Sequence, residues 1–366
     1  MTPEETELWS ELTIIIPTWN QPFELERAIE YWRDTSINVY ILDGSVMPWF
    51  PVGALRDASN IKYFHMPAEK NQNSIENFFQ RINSGLELPA TKYVAFGCDD
   101  DFYTITGLLE SAKILQSNPK FDAVAGRVLT YEHKRKIVWH HKYVPRFNRT
   151  DLEAHSIEQR LATGSSWFLY SVCRTEIWQK FLKISYERQK FTDVNYFAHE
   201  WIMMVLSKAM FRTKYIDAIQ LVRRDTIIGK NKPPEVSWEK FICDERSAGH
   251  IEEITKQLAK GFNEVTPESE HTKNLELSRE QMRLEQEKAL RAKTAQRKSR
   301  TFKSVLGNIL FFFLPGLNVF SDRPRRLKCL WRIPKYRYSA EQQREVEEIE
   351  KLLLMPREEL RLRANI

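Results

Sequence analysis

Three consecutive aspartates, Asp99, Asp100 and Asp101, follow the short apolar run Tyr93 to Phe96. Adjacent carboxylates repel one another, so they require either open solvent or a cation that neutralises them. Mg²⁺ and Mn²⁺ use one or two carboxylates in many sites, together with phosphate oxygens of a substrate. Side chains two residues apart on an extended segment point the same way, so we expect Asp99 and Asp101 to face one cation together.

A helix cap is the structural alternative for the same acids. The apolar spacing of Ile105, Leu108 and Leu109 predicts a helix directly after the triplet, and either Thr104 or Asp101 is a suitable N-cap for it. Capping explains at most one of the three acids. Both interpretations therefore stay open at this point.

The elements that position these acids alternate between short β-branched runs and helical patterns, from Leu12 to about Gln220. Strands are predicted at 12–16, 37–42, 61–66 and 93–96, and apolar residues at a 3.6-residue spacing predict helices between them. This alternation predicts an α/β fold with a Rossmann-like, mostly parallel sheet, flanking helices and a helical C-terminal extension. Open sheets of this kind bind ligands outside the carboxyl ends of their strands.

Polar residues follow the other strands at the same edge. Thr18 and the backbone after Pro17 are suited to hold a nucleoside, Asp43 to accept a hydrogen bond from a base N–H, and Lys70 to pair with phosphate. Each of them also has an ordinary explanation as a turn residue. Their convergence on one edge favours a nucleotide-binding site.

Three segments, "LTIIIPTWNQPFELERAIEYW", "YILDGS" and "KYVAFGCDDDF", resemble in this order the opening of family 2 glycosyltransferases with the GT-A fold. The resemblance covers about residues 12–230. It implies a nucleotide-diphospho-sugar donor of the UDP or GDP type. Pro17, Thr18 and Asn20 would lie in the nucleotide-binding loop, and Asp43 would recognise the base.

The same resemblance implies a metal-binding DxD pair, Asp99 and Asp101, that holds Mn²⁺ or Mg²⁺ on the donor diphosphate. Cys98 stands where an acid often begins the family's run, so Asp100 remains a candidate as well. The family's catalytic base corresponds to Glu200 in "FAHEW", and Asp193 is a competing candidate. An inverting transfer needs such a carboxylate to remove a proton from the acceptor hydroxyl.

The implied activity is hexosyl transfer to a glycan or a lipid-linked acceptor, in the synthesis of a cell-surface glycan or polysaccharide. A nucleotidyltransferase is the first alternative, but "PTWNQPF" contains no glycine for a phosphate-binding loop. A non-catalytic, membrane-associated scaffold with the same fold is the second alternative. Nucleic-acid binding is not expected, because the basic residues cluster around an apolar stretch rather than around aromatic residues.

Composition predicts three parts: a catalytic domain at 1–255, a charged helical linker at 256–303 and a basic and apolar extension at 304–366. The apolar segment 304–320 is too short to span a bilayer and has basic residues on both sides, so it fits a membrane-surface contact or a buried hairpin. The chain has a net charge of +6 and four widely spaced cysteines. These features, with an acidic N-terminus, predict a cytoplasmic protein with free thiols, and the membrane-contact alternative makes it peripheral to the cytoplasmic face.

Overall fold

The structure of the chain is a computed structural model. It describes residues 3–49, 58–67, 74–88, 91–132, 137–140, 156–162, 170–189, 196–224, 238–313, 339–356 and 358–360. Two predicted site residues, Lys70 and Asp193, lie outside these ranges.

The strands among the described residues are β1 (Leu12–Thr18), β2 (Asn38–Asp43), β3 (Ile61–His65), β4 (Tyr93–Phe96), β5 (Asp101–Tyr103), β6 (Ala123–Glu132), β7 (Ile137–His140), β8 (Val172–Arg174) and β9 (Thr213–Arg224). They form one nine-stranded sheet in the order β3-β2-β1-β4-β8-β6-β9-β5, with β7 paired to β6. The first four strands are parallel. Because β8 is antiparallel to both β4 and β6, and β6 is parallel to β9, these last two strands run in the same direction as the first four.

Helices cover both faces of the sheet and form the C-terminal part, so the predicted α/β fold with a mostly parallel sheet is confirmed. Every residue of β1 is buried, as expected for a parallel strand between two helical layers. The helices are α1 (Pro3–Ser10), α2 (Pro22–Trp32), α3 (Ser74–Leu86), α4 (Ile105–Ser117), α5 (Ile157–Ala162), α6 (Thr175–Gln189), α7 (Tyr196–Met210), α8 (Trp238–Phe241), α9 (Ala248–Asn263), α10 (His271–Phe313) and α11 (Ala340–Leu354).

Alternate residues of β1 show how the two layers are separated. Ile14 and Ile16 pack with Trp32 of α2, whereas Ile15 packs on the other face with Trp178 of α6. This alternation follows from the two-residue period of a strand. The sheet is therefore fixed between two cores, and its carboxyl edge is left free to carry the site.

Helix α11 adds a third packed layer near the edge strand β5. Leu353 and its neighbours pack against Phe102 of β5 and Val222 of β9. Two polar contacts support this packing: Arg27 of α2 donates to the carbonyl of Met355 at 3.2 Å, and Glu345 accepts from the backbone N–H and hydroxyl of Thr106 at the start of α4. Helix α11 is thus part of the same folded body as the sheet.

The predicted domain boundaries stay predictions. Helix α9 crosses the boundary proposed at 255, and α11, which was assigned to the extension 304–366, packs on the sheet. Helix α10 continues to Phe313, while residues 314–320 of the predicted membrane-contact segment lie outside the described residues. Within the described ranges, no helix has the length and apolar character needed to cross a membrane.

Replacing Leu353 by alanine is expected to lower the free energy of unfolding by roughly 2–4 kcal/mol, because it removes a buried side chain from the layer between α11 and the sheet. Leu353 is 1% exposed and the adjacent Leu354 is 38% exposed. Leu354→Ala has the same change in helix propensity and is the matched control. Urea denaturation measures both, and equal losses would show that α11 is not packed as described.

Candidate nucleotide and metal site

The loops after β1, β2 and β4 meet at the carboxyl edge of the sheet. Thr18 donates its hydroxyl proton to Oδ2 of Asp99 at 2.6 Å, and its carbonyl accepts from the N–H of Gly44 at 3.0 Å. Asn20 donates its backbone N–H to the hydroxyl of Ser45 at 2.8 Å. The structure therefore brings four predicted residues together: Pro17 and Thr18 at the end of β1, Asn20 in the loop and Asp99 in the turn after β4.

Asn20 has a positive φ of 53°. This left-handed conformation is uncommon for residues other than glycine, and asparagine is among those that tolerate it best. It turns the chain sharply between β1 and α2, which starts at Pro22. The loop thereby stays close to the end of β2.

The aspartates lie in a turn, and the prediction of an extended run is wrong here. The N–H of Asp101 is bonded to the carbonyl of Cys98 at 3.4 Å, and a short strand, β5, begins at Asp101 itself. This strand pairs with β9, a partner more than a hundred residues away, so no local pattern indicated it. The argument that i and i+2 side chains point alike does not apply to this turn.

The helix-cap alternative is also decided. Thr104 caps α4, since its hydroxyl accepts from the N–H of Gly107 at 3.2 Å. None of the three aspartates is the N-cap of that helix. Capping therefore accounts for none of the acids.

Burial dominates the electrostatics of the triplet. It raises the pKa of Asp99 to about 7; the hydrogen bond from Thr18 opposes the rise, and Asp100 and Glu24 add to it. Burial also raises the pKa of Asp101 to about 7, with a further contribution from Asp100. The pKa of Asp100 is raised mainly by burial. Three carboxyls whose charged forms are disfavoured lie side by side.

Two arginines at the end of β9 partly compensate these acids. The backbone N–H of Arg224 donates to Oδ1 of Asp101 at 3.2 Å, and Nε of Arg223 lies 3.9 Å from Oδ2. Tyr170 is also hydrogen-bonded to Asp101. Asp101 thus accepts hydrogen bonds from Arg224 and Tyr170 and is paired with Arg223. Asp99 accepts from Thr18 on one oxygen, and Asp100 is balanced through space by Arg224 and Arg223.

A fourth carboxylate, Glu24 in the first turn of α2, was missed by the sequence reasoning. It is paired with Arg27 at 2.8 Å and also with Arg224, and its charge contributes to the raised pKa of Asp100. Since it lies two residues into an ordinary amphipathic helix, no local pattern distinguished it from a solvated residue. The three-dimensional structure alone joins it to the acids.

Asp43, the predicted base-recognition residue, is held firmly at the end of β2. Its Oδ1 accepts from the N–H of Ser45 at 2.8 Å. Its Oδ2 accepts from the hydroxyl of Tyr63 at 2.5 Å and from the N–H of Trp49 at 3.4 Å. Only 1% of Asp43 is exposed, so its carboxylate is a fixed acceptor.

Arg81 of α3 lies beside Asp43 and was also missed. Burial lowers the pKa of its guanidinium, and Asp43 opposes that change. The guanidinium lies against Gly44, where any side chain would collide with it. Its Nε is buried and has no hydrogen-bond partner among the described residues. A buried donor without a partner is costly, and the only sequence signal was a basic residue on an apolar helix.

Glu200 lies on α7 and interacts with one of the two arginines, Arg223. Burial raises its pKa, and Arg223 opposes that rise. Because Arg223 also interacts with Asp101, the predicted base and the aspartate triplet share one counter-ion. The preceding residue, His199, is 3% exposed and lies near Phe79 in the core.

Within the described ranges, no three His, Cys, Asp or Glu side chains are arranged to hold a metal ion by themselves. Cys98, Cys173 and Cys243 are free thiols. The roles of Asp99, Asp100, Asp101, Asp43 and Glu200 stay predictions, now with defined surroundings.

No protein-family model and no curated protein matches the sequence. Similar solved structures include S. aureus TarS 1–349 (16% identity, 72% of this chain, 69% of that chain, TM-score 0.44) and the same protein in complex with UDP-GlcNAc (15%, 72%, 70%, 0.44). A longer TarS structure has 15% identity over 69% of this chain, with a TM-score of 0.39, and this chain spans 43% of its length. These likenesses are too weak to assign a function.

Asp99→Asn is expected to raise the free energy of unfolding more at about pH 8 than at about pH 5 when metal is removed with EDTA. The pKa of an aspartate is about 3.9 in the unfolded chain, and that of Asp99 is about 7 in the folded protein. The protonated carboxyl therefore favours folding at a pH below about 3.9. That contribution is lost as the pH rises through the higher value. The substituted asparagine has no charge to bury at either pH.

Urea denaturation at both pH values measures this difference. Asp34→Asn is the control, because the Asp34 side chain is 86% exposed. An equal effect of Asp99→Asn at the two pH values would contradict the buried-carboxyl description.

Proposed function

We propose that this protein is a metal-dependent, inverting glycosyltransferase that takes a sugar from a nucleotide-diphosphate donor. One observation carries the proposal: two groups of side chains meet at one edge of the sheet. The first is a fixed acceptor, Asp43, with the buried Arg81 beside β2, and the second is a partly buried acidic turn after β4. Thr18 connects them, since its carbonyl accepts from Gly44 and its hydroxyl donates to Asp99. Such a layout suits a ligand with a base at one end and a diphosphate at the other.

The β2 end of the site matches a base that has an N–H beside a carbonyl oxygen. Asp43 is an acceptor, and the buried guanidinium of Arg81 is a donor next to it. Uracil and guanine offer this combination, whereas cytosine and adenine offer an acceptor nitrogen beside an amino group. Trp19, 56% exposed directly after Thr18, provides an aromatic face on which a base can stack.

The acidic turn fits a divalent cation of the Mn²⁺ or Mg²⁺ type. Both ions prefer oxygen ligands and are often held by one or two carboxylates plus phosphate oxygens. Among the described residues, Asp99 accepts a side-chain hydrogen bond on one oxygen, whereas Asp101 accepts from Tyr170 and Arg224 and is paired with Arg223. We therefore assign Asp99 as one ligand, with Asp100 or Asp101 as the second. The ion, when bound, supplies positive charge for the leaving diphosphate.

Glu200 is assigned as the base that removes the proton from the acceptor hydroxyl. Burial raises its pKa, which makes its carboxylate a stronger proton acceptor than a solvated glutamate. Arg223 interacts with both Glu200 and Asp101 and favours the ionised form of Glu200. The acceptor oxygen then displaces the nucleoside diphosphate at the anomeric carbon, with inversion. The acceptor is proposed to be a glycan or a lipid-linked sugar.

Asp99→Asn is expected to lower Mn²⁺-dependent release of nucleoside diphosphate from UDP- or GDP-sugars by about 100-fold or more, because a charged metal ligand is lost. Asp34→Asn should leave the rate unchanged. Calorimetry then compares the Mn²⁺ affinities of Asp100→Asn and Asp101→Asn. The variant that binds Mn²⁺ more weakly identifies the second ligand. Full activity of folded Asp99→Asn would contradict the metal assignment.

Glu200→Gln is expected to keep donor affinity within about twofold and to lower the rate of transfer by about 100-fold to 10,000-fold, the usual value of a general base. Donor affinity is measured by calorimetry, and transfer by release of nucleoside diphosphate. Glu187→Gln, at a site that is 46% exposed, is the matched control. Normal transfer by Glu200→Gln would place the base elsewhere, with Asp193 as the next candidate.

A further inference from the structure

We infer that Tyr63 restricts the nucleotide site to a base that offers a single N–H to Asp43, so that uracil is accepted and guanine is rejected. The inference rests on the proposed function, because it concerns the base of the same donor. It gives a role to a β3 residue that is neither a base contact nor a metal ligand. The hydroxyl of Tyr63 donates to Asp43 and so occupies an acceptor position that a base could otherwise use.

The direction of the hydrogen bond between Tyr63 and Asp43 follows from their neighbours. A tyrosine hydroxyl has one proton to donate, and the N–H of Trp49 already donates to the oxygen of Tyr63 at 3.0 Å. The Tyr63 proton is therefore directed to Oδ2 of Asp43, 2.5 Å away. Asp43 is the acceptor in this pair, as it must be to receive a base N–H.

An ionised carboxylate has about four acceptor positions, two on each oxygen. Oδ2 of Asp43 receives the Tyr63 hydroxyl at 2.5 Å, and the Trp49 N–H, which is shared with the Tyr63 oxygen, approaches it at 3.4 Å, so these two donors occupy the Oδ2 side of the carboxylate. Counting donors from the described residues, Oδ1 receives the N–H of Ser45 and keeps one position. Since Asp43 is 1% exposed, a ligand has little room to reach it from a second direction. One further N–H therefore fills the last acceptor position of the Asp43 carboxylate.

The two candidate bases differ in this respect. Uracil has one ring N–H between two carbonyl oxygens, so it needs one position on Asp43 and offers an oxygen to Arg81. Guanine has a ring N–H and an adjacent amino group, and a carboxylate receives them with both of its oxygens. Because the Oδ2 side is already occupied, guanine would leave its amino group unpaired in a buried place, which costs binding free energy.

Strand β3 also holds the loop that carries Ser45 and Trp49 through contacts other than that of Tyr63. His65, two residues after Tyr63, is hydrogen-bonded through Nε2 to the carbonyl of Ser45 at 2.7 Å. The N–H of Met66 also donates to the carbonyl of Asp43 at 2.7 Å. These contacts hold the carboxylate and its donors in one arrangement, so that Asp43 cannot turn Oδ2 toward a ligand.

The test compares the affinities of UDP and GDP for the full chain by calorimetry, with Mn²⁺ present. We expect the wild type to bind UDP at least about tenfold more tightly than GDP. Tyr63→Phe should bind UDP somewhat more weakly and GDP more tightly, so that the ratio of the two affinities falls by about tenfold. Tyr40→Phe is the matched control: Tyr40 lies on the adjacent strand, and its hydroxyl is bonded to Lys62.

A ratio unchanged by Tyr63→Phe, or a wild type that prefers GDP, would overturn the inference and leave the proposed function standing. If neither nucleotide binds the wild type, the proposed function itself fails. Should Tyr63→Phe not fold, UDP methylated at N3 gives a test on the wild type. Loss of its binding supports a single N–H contact to Asp43, and unchanged binding overturns it.

Discussion

Three consecutive carboxylates in the turn after β4, with Asp101 buried and Asp99 and Asp100 half-buried, are the constraint around which the carboxyl edge of the sheet is built. Burial raises the pKa of Asp99 and Asp101 to about 7, so each negative charge here must be compensated. The compensation comes from the end of β9, where the backbone of Arg224 and the side chain of Arg223 reach Asp101. The antiparallel pairing of β5 with β9 sets Asp101 opposite Arg223.

A series of ion pairs and hydrogen bonds connects the end of β9 to helix α11. Arg224 is paired with Glu24, Glu24 with Arg27, and Arg27 donates to the carbonyl of Met355 at the end of α11. Helix α11 in turn covers Phe102, the residue after Asp101, with apolar side chains. The acidic turn is thus supported from one side by alternating charges and from the other by an apolar layer. This explains why a helix so distant in sequence packs at the edge of the site.

At the other end of the site, a similar arrangement fixes Asp43. Its carboxylate accepts from Ser45, Trp49 and Tyr63, while Arg81 lies beside it against a glycine that leaves room for the guanidinium. Fixing an acceptor in advance lowers the entropy lost when a ligand binds. Both ends of the site therefore consist of buried charges held by neighbours from other elements.

The local sequence was enough to predict the α/β fold and the meeting of Thr18, Asp43 and Asp99 at one edge. Strand and helix periodicity is local, and the carboxyl ends of parallel strands necessarily lie together. Tertiary structure alone decided that the aspartates form a turn, that β5 pairs with β9, and that Glu24, Tyr63 and Arg81 belong to the site. Their partners are brought together by the fold from separate elements, as Glu24 is with Arg224, and no short-range pattern records such pairs.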